Sequence, residues 1–145
     1  MDIYMNTPIT TNTKLLSIRD SLLELHTELL AFEKQRYEKT NGRVQSTQEF
    51  FKLVTEDENF SWLREFSNLI VSIDEMMHKK EAITAEQIHG LIHYLAVLLN
   101  VKEQINYFSQ KYAIALQQSP AVAVTHGKLM EQLNKISEKL GGNNE

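Results

Sequence analysis

The chain has 145 residues, 42% of them hydrophobic and 23% charged, which is enough for one compact domain with a sizeable core. Fifteen basic against nineteen acidic side chains leave a formal charge of -4, so the overall field disfavours a sequence-independent grip on nucleic acid or on an anionic membrane. With no cysteine there is no disulfide framework, no thiolate nucleophile and no zinc knuckle.

The opening stretch has an acidic second residue and lacks the basic start and the apolar run of a secretory signal, so the expected location is cytoplasmic. The longest apolar stretch, Leu91 to Leu99, is interrupted by His93 and falls short of the ~20 residues that span a bilayer.

From Leu15 the apolar residues Ile18, Leu22, Leu25, Leu29 and Phe32 follow in alternating steps of three and four, the stripe of an amphipathic helix. Leu16, Leu23, Leu30 and Tyr37 recur every seven residues beside it and widen the apolar face. Thr13 is the expected cap, and Asn41 with Gly42 the expected end. Between Gly42 and Asn59, Ser46 and Glu49 form a capping pair ahead of Phe50, Phe51, Leu53 and Val54, which predicts one short helix in this connection. The two phenylalanines are expected to plug one end of the core.

After Asn59 the positions Leu63, Phe66, Ile70, Ile73 and Met77 resume the rhythm, flanked by Trp62, Leu69 and Met76. A third helix is expected to start at Thr84, capped together with Gln87, and to run to about Gln118, where Ser119 and Pro120 stop it. Its buried line reads Ile88, Leu91, Leu95, Leu98, Ile105, Tyr112 and Leu116, with Lys102 and Ser109 as polar interruptions. A helix of that length outreaches its neighbour and is expected to leave Tyr107, Phe108 and Tyr112 partly uncovered. The last helix begins near Pro120 and carries Val122, Leu129, Leu133, Ile136 and Leu140. The reading is an all-α, antiparallel four-helix bundle in one domain, residues 1–145, with a short extra helix in the first connection and flexible residues at 1–12 and 141–145.

Chemistry-bearing residues are sparse. Glu75 with His78 and Glu86 with His89 repeat an acid-to-histidine spacing of three that di-metal bundles use, and His93 lies one turn beyond His89. At about 100° per residue, however, Glu75, His78, His89 and His93 fall beside or outside the apolar lines of their helices. They are weak metal candidates, and no cofactor is expected. Arg36 occupies a stripe position where an apolar residue belongs, so its stem either covers the core while its head reaches water or its guanidinium pairs with Asp74 or Glu75. Stacking on Trp62 is a further option, because the two lie at similar height. Arg64 shares a stripe with Asp74 and Glu75, and Tyr37 and Trp62 have the amphipathic shape of interface residues. Glycine-rich phosphate loops, a Gly-x-Ser-x-Gly elbow and a His-Glu-x-x-His motif do not occur, and no catalytic residue is assigned.

Arg36-Tyr37-Glu38 and the run from Phe60 to Glu75, F-x-W-L-R-x-x-S-x-L-I-V-x-I-D-E, resemble an uncharacterised family of short bacterial all-helical proteins. The resemblance implies a bacterial, cytoplasmic protein and no residue role. The expected function is a non-enzymatic helical interaction or assembly module that associates with a protein partner or with itself, without nucleic acid or membrane. The alternative is a bundle binding a small molecule or metal at a polar site around Arg36, Arg64, Asp74 and Glu75.

Overall fold

The stripe of the first segment forms α1 (Asp2–Asn41) and is buried in full: Leu15, Ile18, Leu22, Leu25 and Leu29 are inaccessible and Phe32 nearly so. The computed structural model describes the backbone of residues 2–102 and 106–142 and the side chains of 13–102 and 106–137. The expectations for Ile105, Leu140 and the last three residues lie outside these. Helical backbone already runs from Asp2 through a stretch expected to be flexible, so Thr13 lies inside α1 and does not cap it. The predicted end is correct in mechanism: Gly42 adopts φ 86° and its N–H donates to the Glu38 carbonyl at 3.1 Å, a left-handed terminus that only glycine adopts without strain.

Ser46 caps α2 (Thr47–Glu56), its hydroxyl accepting the Glu49 N–H at 3.0 Å, while the Glu49 carboxylate reaches back to the Gln45 N–H at 2.8 Å. Of the two phenylalanines expected to plug the core, Phe50 packs edge-on against Phe60 at 5.9 Å, but Phe51 is 68% exposed. On a helix this short, adjacent residues point about 100° apart, so only one can face inward. A 3-10 helix, Glu58–Leu63, capped by the Asp57 carboxylate on the Asn59 N–H, then carries Phe60, Trp62 and Leu63 into the core. Trp62 and Leu63 therefore precede the second long helix, which is α3 (Arg64–His78) with Phe66, Ile70 and Ile73 buried.

The expected single third helix is two. Thr84 and Gln87 cap α4 (Ala85–Leu99) in a reciprocal box, but the chain turns at Asn100, whose N–H donates to the Val97 carbonyl. A second reciprocal box, Asn106 with Ser109, starts α5 (Tyr107–Gln118). The break re-aims the apolar face, so Tyr112 and Ala115 are fully buried, Phe108 is half-buried, and only Tyr107 of the expected aromatic trio is exposed. Ile92 and Leu99 join Ile88, Leu91 and Leu95 in the core, and Leu98 turns half out. Ser119 accepts the Val122 N–H ahead of α6 (Pro120–Gly142), which buries Val122, Leu129, Leu133 and Ile136.

Among the described residues every element is helical, and α1 lies against α3, α4, α6 and the 3-10 helix. α6 also packs on α4 and α5, and α2 on the 3-10 helix. Polar contacts pin the register between elements. Arg19 Nε donates to Asp74 at 2.5 Å, His26 Nε2 meets Ser67 at 3.1 Å, and Trp62 Nε1 donates to Glu33 at 2.8 Å, so partner numbers fall as numbers along α1 rise. On α6, Gln132 bridges Ser17 and Ser21 at 2.6 and 2.5 Å. Leu25→Ala should therefore cost about 2 to 5 kcal/mol in urea unfolding, whereas Phe51→Ala should change stability by no more than about 0.5 kcal/mol.

Candidate functional site

Where the apolar stripe of α1 runs out, two charged side chains are drawn against the core. Glu33, only 3% exposed, sits beside Phe32, and one of its oxygens accepts the indole N–H of Trp62, itself 4% exposed. Each satisfies a polar group that would be costly to bury alone. Arg36, one turn on, holds its guanidinium carbon 5.6 Å from the centre of the Phe32 ring, and its Nη1 is buried without a hydrogen-bond partner among the described residues. Tyr37 packs on Phe60 at 6.1 Å. Glu33, Arg36 and Tyr37 line, together with Thr40, Asn41, Asn59 and Lys111, a polar cavity of about 330 Å³. A second hollow of about 480 Å³ lies on the other side of Arg36, between α1 and the turn from α5 into α6.

Behind this end runs a chain of rings. Trp62 meets Phe108 at 5.8 Å, Phe108 stacks on Tyr112 at 5.6 Å, and Tyr112 contacts His126 at 5.5 Å, with its hydroxyl 2.6 Å from His126 Nδ1. Burial pushes the Tyr112 phenol well above its usual range and lowers the imidazoles of His126 and His26 below 6.5. Tyr112 and His126 thus meet as two neutral groups.

The residues singled out in the sequence separate into different places. Arg36 and Tyr37 share the polar cavity, and Trp62 lies behind it, bonded to the lining residue Glu33. Trp62 is core, with no indole face left for a partner. Arg64 is turned to the start of the 3-10 helix, donating from Nη2 to the Asp57 carbonyl at 3.1 Å, with its Nε buried and unpaired among the described residues. Asp74 is engaged by Arg19, about 25 Å of helix from Arg36 at 1.5 Å per residue, which leaves no place for the alternative in which Arg36 pairs with Asp74. Glu75 is exposed. His78 returns its Nδ1 to the Asp74 carbonyl at 2.7 Å, and His89 and His93 are exposed on α4. Among the described residues no three His, Asp or Glu side chains are grouped to hold a metal ion. None of their helices is long and apolar enough to cross a membrane.

Glu33 and Lys111 were not legible as site residues, since each reads alone as a solvated charge. The available clue was the chain's single tryptophan, whose indole N–H requires an acceptor once the ring is buried.

A third concavity separates α3 from α4. These consecutive helices leave between them a groove of about 360 Å³, floored by Leu69, Ile73, Met76 and Leu91. Tyr94 closes one end by donating its hydroxyl to Glu65; that bond, with burial and the Glu65 charge, pushes its phenol up to about 12.

Glu33→Ala, which strands the Trp62 N–H, should cost about 1 to 3 kcal/mol in urea unfolding, and Glu33→Gln, which keeps an acceptor oxygen, should recover most of it. The depressed pKa values of His26 and His126 make the unfolded chain bind more protons than the folded one as pH falls through 6.5. Their contribution is present above that pH and lost below it, so the urea midpoint should drop between about pH 7.5 and pH 5.5, and less steeply in the His26→Gln/His126→Gln double variant.

No family model, no curated protein and no solved structure matches this chain, so no residue of the site inherits a role from a relative.

Proposed function

We propose that the protein is a non-enzymatic helical assembly module, in which α1, α3, α4 and α6 form an antiparallel four-helix bundle that pairs with a second copy through the outer face of α4. The falling partner numbers along α1 support the antiparallel arrangement, with α2 and the 3-10 helix across one end.

The observation that carries the pairing is Gly90 together with the exposed Tyr94 and Val97 on the same side of α4. Gly90 lies in the middle of α4, where glycine costs about 1 kcal/mol relative to alanine, and a side chain added there would meet nothing within 4 Å. Nothing inside the described protein requires the absence of a side chain. Gly90 shares the outward side of α4 with Tyr94 and Val97, which are 43% and 46% exposed. When two such helices cross in opposite directions about a point between His93 and Tyr94, Gly90 of each copy lies opposite Val97 of the other. The surplus volume of one residue then fills the deficit of the other, the self-complementarity that a two-fold interface requires. The apolar groove beside this face extends the surface available for burial.

Light scattering and sedimentation equilibrium at concentrations of about 10 to 100 μM test this directly. The dimer fraction should rise with concentration, and Gly90→Glu should weaken association at least about tenfold while leaving the far-UV dichroism unchanged, because the site has room for the side chain. Val124→Glu, on the exposed side of α6, serves as the control that retains the dimer. A wild-type monomer throughout this range, or equal association of the Gly90→Glu variant, removes the proposal.

A further inference from the structure

The polar cavity at the end of α1 has a composition that a purely structural boundary does not need. Two cations, Arg36 and Lys111, share its lining with Glu33, and Asn41 and Asn59 add groups that donate and accept. No ion pair joins Arg36 or Lys111 to Glu33 among the described residues: Glu33 is committed to Trp62, and Arg36 lies over Phe32. Nη1 of Arg36 is itself buried with no hydrogen-bond partner among the described residues.

We infer that this cavity binds a small zwitterion of the α-amino acid class, its carboxylate held by Arg36 and Lys111 and its ammonium by Glu33. Each part of the ligand follows from a named group. A guanidinium fork matches the planar, two-oxygen geometry of a carboxylate, and the Lys111 ammonium adds a point charge beside it. Glu33 sets the other end: a buried acid within the same hollow repels a dianion such as phosphate and favours a ligand that presents donors to it. At about 330 Å³ the cavity is at the small end of ligand sites, the range of a single metabolite. The site lies at the far end of α1 from Asp74 and Glu75 and needs neither.

The protein carries its own reporter. Its one tryptophan donates the indole N–H to Glu33, so a ligand that engages the Glu33 carboxyl perturbs the hydrogen bond of the only strongly fluorescent side chain. The full chain is titrated with each of the twenty free L-amino acids, with the des-amino counterpart of any that binds, and with inorganic phosphate, followed by tryptophan emission and by calorimetry. At least one amino acid should give a saturable change with a Kd at or below about 1 mM, and its des-amino counterpart should bind about tenfold or more weakly. Arg36→Lys, which keeps the stem and charge but loses the fork, should weaken binding about tenfold. Glu33→Gln, which keeps an acceptor for Trp62, should abolish the preference for the amino group while leaving the emission spectrum of the free protein close to wild type. The inference fails if no amino acid gives a saturable change up to about 10 mM, if phosphate binds as tightly as the best amino acid, or if both variants bind within about twofold of wild type. These readouts involve no residue of the α4 face, so their outcome is separate from that of the association experiment.

Discussion

The stripe from Leu15 to Phe32 extends over about 26 Å of α1, and no single helix of fifteen residues covers that length. The face is also broad, widened by Leu23, Leu30 and Tyr37, so several elements cover it at once and the architecture follows from that requirement. α3 takes one flank, α6 another, α4 closes part of the remaining face, and the 3-10 helix seals the end where the stripe gives way to Glu33 and Arg36. Because α3 rests chiefly on α1 and α4 chiefly on α6, α3 and α4 can stand apart over a groove while both stay anchored.

Polar contacts do a different job from the stripe. Burial of leucine and isoleucine is non-directional and would tolerate a helix sliding by a turn. Arg19 with Asp74, His26 with Ser67, Glu33 with Trp62 and Gln132 with Ser17 and Ser21 are specific in distance, and a slide of one turn breaks them together. They select one register from those that the apolar faces would permit.

What the sequence revealed and what it hid follow from the range of each interaction. The α1 stripe, the Gly42 terminus and the caps at Ser46 and Thr84 are local patterns, each written within a few residues, and they read through directly. The division of the third helix was hidden because the segment from Asn100 to Asn106 contains neither glycine nor proline, and the polar interruptions at Lys102 and Ser109 read equally well as blemishes in one helix. Asn106 with Ser109 was the missed start signal. The polar cavity was half visible: Arg36 stood out by violating the stripe, but Glu33 and Lys111 acquire meaning only when Trp62 and α5 are brought to α1 from 29 and about 75 residues away. Asp74 went to Arg19, an arginine with nothing unusual in its own neighbourhood.

Gln132 closes on Ser21 across 111 residues of sequence, which has a bearing on how the protein is made. At ~5 to 20 residues per second, roughly 5 to 20 s separate the synthesis of these two positions. For that interval α1 has emerged from the ribosome with its most apolar face lacking the helix that completes its cover. The nascent chain therefore exposes apolar surface, and with it a tendency to aggregate, until α6 has been translated.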